Sequence, residues 1–485
     1  MNIVFVSSEL DPLAKTGGLA DVVASLSLAL RRLKHRVSII MPFYAGLAAS
    51  GVEIHDTGFA VRVPLDGRVR EGSVWRTTLN GVPVYLLRDP GLYDRDGLYG
   101  TATGDYPDNA LRFGFLSRAA LEIAETARLK PDVFHIHDWQ TSLLPVYRNQ
   151  YYRDRPSIGR AGVVLTIHNL AYQGLFPPEA LAALDLPATI FHLDGLEFYG
   201  HVNFLKGGIV FSDKISTVSP TYAREIQTRE LGAGLDGLLR HRSADLVGIL
   251  NGIDTSLWSP GTDKALPAHF TASKLAGKAE NKRALQQSLG LEVSEAAPLV
   301  AAIGRLDPQK GFDLILAATP RLLREGAQLV LLGAGAQQYL DAFGALRRDF
   351  PRQLSINQGF QPDLGRRIYA GADIFLMPSR YEPCGLGQLL ALRYGTIPVV
   401  RRTGGLADTV QDFDEDPENG RGFVFEAFEA QALREALDRA LARFRDTRTW
   451  RNLMQRAMRA DFSWKSSANA YLELYESAKR RAENP

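Results

Sequence analysis

Thr16-Gly17-Gly18-Leu19-Ala20-Asp21, near the start of the chain, recurs as Thr403-Gly404-Gly405-Leu406-Ala407-Asp408 near its end. Each copy stands between an apolar run that reads as a strand, Ile3 to Val6 and Ile397 to Val400, and an apolar-periodic run that reads as a helix. Each also follows a basic residue, Lys15 or Arg402. Glycines at a strand-to-helix junction bare backbone N–H groups at the positive end of the helix dipole, a setting that favours an anion, most often a phosphate. A single Gly-Gly turn is only a turn. Repetition of the whole hexapeptide in matching context points to two α/β lobes, each with an anion-binding loop.

Working outward from the first copy, Leu19 to Leu33 keeps apolar positions at helical spacing and His35 to Met41 returns to a strand pattern, the opening of a βαβ unit. Residues 51 to 88 show short alternating runs broken by Gly and Pro, as hairpins inserted in an α/β domain would. The segment Gly91 to Asp108 reads as a long loop whose Tyr93, Tyr99 and Tyr106 either stack on sugar rings or pin the loop to the surface. Two runs, Asp132 to Gln140 and Gly162 to Asn169, are strands that end in polar tips, which places Asp138 and His168 where ligands bind in open parallel sheets. Strands follow at Lys214 to Val218 and Leu246 to Leu250, then the turn-rich Asn251-Gly252-Ile253-Asp254. Residues 251 to 275 form the hinge, which gives domains at 1–255 and 256–462.

Around the second copy the alternation is more regular. Pro298 to Gly304, Gln328 to Gly333, Asp373 to Met377 and Ile397 to Val400 read as buried strands, separated by helical runs such as Phe312 to Glu325 and Gln337 to Arg348. From Phe428 onward only helices are expected, among them Glu429 to Arg445 and Trp464 to about Arg480. The stretch 463–485 must bury its apolar stripe, and packing back across the hinge onto the first domain would do so.

Composition sets the bounds. The 485 residues suffice for two or three domains, with 45% hydrophobic and 23% charged residues and a formal net charge of +2. That balance calls for neither nucleic acid nor an anionic membrane as partner. A single cysteine, Cys384, excludes an internal disulfide framework and fits a reducing compartment, so the cytoplasm is expected. The opening apolar run is too short for a signal peptide, and no run approaches the roughly 18 apolar residues of a membrane span.

Three clusters in the second half carry chemistry. Gly304-Arg305-Leu306-Asp307-Pro308-Gln309-Lys310-Gly311 sets two cations on one loop between strand and helix, suited to a diphosphate whose charge grows as it leaves. Ser379-Arg380-Tyr381-Glu382-Pro383-Cys384-Gly385-Leu386 places Glu382 at the first turn of a helix, where a carboxylate can accept hydrogen bonds from sugar hydroxyls while the amides of Cys384 to Leu386 face the ligand. The Thr403 loop is the third. Cys384 has no adjacent base in sequence and reads as a small buried filler.

Together, Lys15-Thr16-Gly17-Gly18-Leu19, His168-Asn169-Leu170-Ala171-Tyr172-Gln173-Gly174, Asn251-Gly252-Ile253-Asp254, Arg305 with Lys310, Tyr381 to Leu386 and Arg401 to Leu406 resemble the signatures of bacterial glycogen synthases and plant starch synthases, in order over nearly the whole chain. The resemblance implies two Rossmann-like doubly wound domains facing across a cleft, the GT-B type. It implies a retaining glucosyltransferase that carries glucose from ADP-glucose to the nonreducing end of an α-1,4-glucan, glycogen or a maltooligosaccharide, with no cofactor and no metal. Carried over by position, Lys15, Gly17 and Gly18 approach the donor from the first domain, and Arg305 and Lys310 hold its diphosphate. Glu382 with the backbone of Gly385 and Leu386 grips the glucose, and Thr403, Gly404 and Gly405 touch phosphate. Asp138, His168 and Asn251 line the reaction centre and acceptor side. The wider retaining superfamily has a second glutamate eight positions after the first, on the ribose; here that position is Leu390.

The same residues admit rival readings. His135 and His137, with His168 and His201 as further ligands, would suit a metal-dependent hydrolase, although alternate residues of any strand share a face. A glucan-binding scaffold, or another retaining sugar-nucleotide transferase, are the others. No motif addresses the base, so the residues do not choose ADP over UDP.

Overall fold

The structure is a computed structural model that describes residues 1–49, 51–101 and 103–483. It comprises two compact units, one of residues 1–252 together with 464–485 and the other of residues 253–463.

The first unit is built on a nine-stranded sheet. In spatial order its strands are Leu246–Gly248, Lys214–Thr217, Gly162–Ile167, Val133–His137, Asn2–Val6, Arg36–Pro42, Val82–Arg88, Arg68–Leu79 and His55–Leu65. The first seven run parallel, with Ile3 opposite both Val133 and Val37. The last two are antiparallel hairpin strands that extend the sheet. Their turns, Asp66-Gly67 and Asn80-Gly81, have positive φ at both residues, the geometry that twists a two-residue hairpin the right way. Strands such as Val133–His137 and Gly162–Ile167 are buried throughout, as a sheet covered on both faces requires. Part of that cover is the helix Trp464–Glu483, which lies so close to the sheet that a Cβ on Gly162 would meet the Ala478 carbonyl carbon at 2.7 Å.

The second unit has a six-stranded, all-parallel sheet in the order Leu354–Gln358, Gln328–Gly333, Leu299–Ile303, Ile374–Met377, Ile397–Arg401, Phe423–Phe425. Two of these strands, Leu354–Gln358 and Phe423–Phe425, go beyond the sequence reading, while the helix Thr447–Arg459 lies in the stretch expected to be helical. The helix Phe312–Arg324 packs Phe312, Ile315, Leu322 and Leu323 into the core on one face of the sheet.

In each sheet the chain starts centrally and builds outward to both sides. The order reverses between Asn2–Val6 and Val133–His137 in the first unit, and between Leu299–Ile303 and Ile374–Met377 in the second. A crevice opens at the carboxyl edge of such a switch point, which is where these folds bind ligands. Among the described residues, no helix is long and apolar enough to cross a membrane.

Candidate active site

At the switch point of the second unit, the strand Leu299–Ile303 runs out into Gly304 and Arg305, and a turn at Pro308–Lys310 follows, capped by Asp307, whose Oδ1 accepts from the Lys310 amide at 3.0 Å. That turn aims the Lys310 ammonium at Glu382, 2.9 Å from Oε1 and 2.7 Å from Oε2. Ser379 Oγ donates to Glu382 Oε2 at 2.9 Å, so the nearly buried carboxylate is held from two sides. Arg305 lies on the same loop with its guanidinium largely exposed, steered by Gln309 (Nη2 to Oε1, 3.2 Å) and Asp307. Gly304, Lys310, Ser379, Glu382, Gly385 and Leu386 line a cavity of about 150 Å³ at this edge.

The second hexapeptide interlocks with this cluster through its backbone. Gly404 has φ +44°, and a Cβ there would lie 1.9 Å from the Glu382 carbonyl oxygen; one on Gly405 would lie 2.0 Å from that of Cys384. The Gly405 amide donates to the Glu382 carbonyl at 3.0 Å. The expectation that this loop bares its glycine amides is therefore corrected at Gly405, whose N–H is spent on shaping the Glu382 segment. Thr403 is buried beneath it, and so is Cys384.

In the first unit the strand Asn2–Val6 delivers a residue that the motif reading passed over. Glu9, only 3% exposed, accepts from Thr16 N at 2.7 Å, Thr16 Oγ1 at 2.6 Å, Gly17 N at 3.3 Å and the Tyr99 hydroxyl at 2.6 Å. Lys15 pairs with Asp21 at 2.5 Å and more loosely with Asp11 at 3.4 Å. Gly18 opens the helix Gly18–Arg32. The neighbouring strand Val133–His137 ends at Asp138, which sits at φ +53°, a region costly for a residue with a side chain and one that concentrates at functional sites. Its Oδ1 accepts from the His168 amide at 2.7 Å, and the His168 ring meets His137 Nδ1 through Nε2 at 3.1 Å. Burial pushes the Asp138 carboxyl up to about 7, against the pull of the His168 and Asn169 amides, and the negative charge of Glu9 adds to the rise. Burial also draws His168 down to about 3, so its imidazole is neutral at physiological pH.

Residues 2–241 match the family model "Starch synthase catalytic domain", and residues 287–452 match "Glycosyl transferases group 1". A glycogen synthase of Geotalea daltonii is 49% identical over 98% of both chains, and glycogen synthase 2 of Geobacter sulfurreducens is 48% identical over 99% of both. The chain belongs to the glycogen synthase family. It is accordingly a glycosyltransferase with the GT-B fold of that family. Among solved structures, the catalytic domain of starch synthase IV from Arabidopsis thaliana, bound to ADP and acarbose, is similar at a TM-score of 0.92 with 38% identity, covering 99% of both chains. A sucrose-phosphate synthase from Thermosynechococcus elongatus, 18% identical at a TM-score of 0.61, shares the fold.

Against that family background, several residues take on structural work. His135 is fully buried, with Nε2 on Thr166 Oγ1 at 2.6 Å and Nδ1 on the Tyr475 hydroxyl at 2.8 Å, so the His135/His137 ligand set of the hydrolase reading does not form. His201 is exposed at a hairpin, and no group of three or more His, Cys, Asp or Glu stands close enough to hold a metal ion among the described residues. Of the two readings of the loop tyrosines, their contacts fit the pinning one. Tyr93 is completely buried and donates to the Arg112 carbonyl, Tyr99 turns its hydroxyl onto Glu9, and the Tyr106 ring is covered by the guanidinium groups of Arg95 and Arg112. Asn251 is buried, and its side-chain Oδ1 has no hydrogen-bond partner among the described residues. Leu390 faces the core from the helix Gly387–Arg393, so it offers a ribose nothing polar. Two further residues have no role in the motif reading: Ser379, which stands in the Glu382 cluster, and Phe360, which is 84% exposed just past the carboxyl end of the strand Leu354–Gln358. A lone aromatic between Gly359 and Gln361, at a strand-to-helix junction, was the available signal.

Proposed function

We propose that this glycosyltransferase carries glucose from ADP-glucose to the nonreducing end of an α-1,4-glucan with retention of configuration. The observation that carries the reading is the cluster at the second switch point, where Lys310 and Ser379 hold Glu382 beside an exposed Arg305. The donor diphosphate lies against Arg305 and Lys310, with Thr403 to Gly405 forming the floor. The glucose hydroxyls bond to Glu382 and to the backbone at Gly385 and Leu386. An exposed aromatic at the same sheet edge, Phe360, is suited to stack on a nucleobase. Lys15, Gly17, Gly18, Asp138, His168 and Asn251 serve the same reaction from the first unit.

The chemistry follows from charge. As the glycosidic C–O bond of the donor breaks, negative charge grows on the departing diphosphate, and two fixed cations stabilise that state more than the ground state. The sugar becomes oxocarbenium-like. The acceptor hydroxyl attacks on the face the diphosphate leaves, and its proton passes to a phosphate oxygen, so configuration is kept without an enzyme-bound intermediate. The cations that this step needs are side chains of the chain itself, and turnover is expected to persist in EDTA.

The test incubates the protein with ADP-glucose or UDP-glucose and a short maltooligosaccharide, following nucleotide release and product length. ADP release with stepwise elongation is expected. Arg305→Ala and Lys310→Ala should each lower kcat by about 100-fold or more, the scale of losing a preorganised charge contact. Near-normal turnover in both variants overturns the assignment.

A further inference from the structure

The first hexapeptide has the sequence of a phosphate loop, yet an anion from the chain already sits in it. The Thr16 amide, the Thr16 hydroxyl and the Gly17 amide, three donors that such a loop would turn toward phosphate, all point at the Glu9 carboxylate. The second copy is built otherwise, since the Thr403 amide, which matches that of Thr16, donates to the Arg401 main-chain carbonyl at 3.0 Å. Hydrogen bonds to an ionised acceptor are roughly twice as strong as neutral ones, and three donors from two adjacent residues fix the loop more firmly than side-chain packing at an exposed turn.

The fourth donor comes from far along the chain. The Tyr99 hydroxyl donates to Glu9 at 2.6 Å and contacts Ser8 Oγ at 2.8 Å. Its backbone is fixed in turn: Asn109 Nδ2 donates to the Tyr99 carbonyl at 2.8 Å, and the completely buried Arg112 donates to the carbonyls of Leu92 at 2.7 Å and Leu98 at 2.9 Å. A buried arginine thus organises the segment that brings one hydroxyl to one carboxylate.

We infer that Glu9 is a positioning residue for glucosyl transfer, acting as the built-in anion of the Lys15–Gly18 loop, with Tyr99 locking its carboxylate. The inference rests on the glucosyltransferase reading proposed above, because the loop's importance is to that reaction.

The test compares full-length wild type, Glu9→Ala and Tyr99→Phe, each checked for folding by near-UV circular dichroism. Glu9→Ala is expected to lower kcat/KM for ADP-glucose by about 30-fold or more while KM for the maltooligosaccharide stays within about twofold, and Tyr99→Phe to lower it by about threefold to tenfold. A second arm needs no turnover. Inorganic phosphate is titrated into Arg305→Ala/Lys310→Ala protein with and without Glu9→Ala. The vacated amides should take up phosphate, seen as a rise in Tm only in the variant lacking Glu9. Unchanged kinetics in Glu9→Ala and Tyr99→Phe, or no gain of phosphate binding, overturns the inference. If Glu9→Ala does not fold, the Tyr99→Phe kinetics decide. If wild type releases no nucleotide from ADP-glucose, that failure belongs to the functional reading, and the phosphate arm still decides the role of Glu9.

Discussion

Asp138 combines a left-handed backbone, a buried carboxyl and a hydrogen bond from the His168 amide, and its titration has a definite sign. The folded carboxyl keeps its proton to about pH 7, whereas an unfolded aspartate gives it up near 3.9. The folded state therefore binds the extra proton between those values, and the contribution of this group to stability is fully present below about pH 4 and lost as pH rises through 7. His168 works in the opposite direction. It stays neutral down to about 3 when folded, while an unfolded histidine charges below about 6.5, so its contribution is present above 6.5 and lost as pH falls. On the proposed mechanism, an ionised Asp138 is the form that serves the transfer. The expected profile of kcat/KM for ADP-glucose rises to a plateau with an inflection near pH 7, and Asp138→Asn should remove that inflection along with most of the rate. A rate profile with the same inflection in wild type and Asp138→Asn would assign it to another group.

The two copies of one hexapeptide, identical as strand-to-helix elements in sequence, are opposite in tolerance. Gly17 has extended backbone and open space where a Cβ would go, so Gly17→Ala should cost less than about 1 kcal/mol, and any loss of activity should reflect the ligand side. At the matching position Gly404→Ala drives a methyl into the Glu382 carbonyl, 1.9 Å away, at a φ of +44°, so a loss of more than about 2 kcal/mol is expected. Urea unfolding of the two variants against wild type checks the contrast; equal midpoints would refute it. This contrast also marks what the sequence carried. Strand-loop-helix periodicity and polar strand tips located Asp138, His168, Arg305, Lys310 and Glu382, because those signals are local. Glu9 had no local signal, since it acts through donors at positions 16, 17 and 99; Ser379 stands in the Glu382 cluster and Phe360 at a strand-to-helix junction, but their contact and exposure are set by the fold and not by the neighbouring sequence. The choice between stacking and pinning for the loop tyrosines stayed open for the same reason, since their partners, Arg112 and Glu9, lie outside the loop.

At the scale of the molecule, the chain passes into its second unit at Ile253 and leaves it after Ser463, so the last helix completes a unit begun at Met1. Helix Trp464–Glu483 buries Trp464, Tyr471, Leu474 and Tyr475, and Tyr475 anchors His135 in the strand that ends at Asp138. At about 1.5–3 kcal/mol for each large apolar side chain fully buried, these four supply on the order of 8 kcal/mol, comparable with the roughly 5–15 kcal/mol by which a whole domain is stable. Ending the chain at residue 463 should therefore abolish cooperative unfolding of the first unit while the second, whose sheet and core are intact within 253–463, keeps its own transition. Calorimetry of the full-length and shortened proteins, each with and without ADP, separates the two. A ligand that binds the native form of one unit raises that unit's transition by an amount growing with ligand concentration. ADP held at Arg305 and Lys310 should thus shift the one transition that survives shortening. Two transitions unchanged by the deletion would show that the last helix is dispensable to the first unit, and an ADP shift confined to the lost transition would move the nucleotide site off the Glu382 cluster.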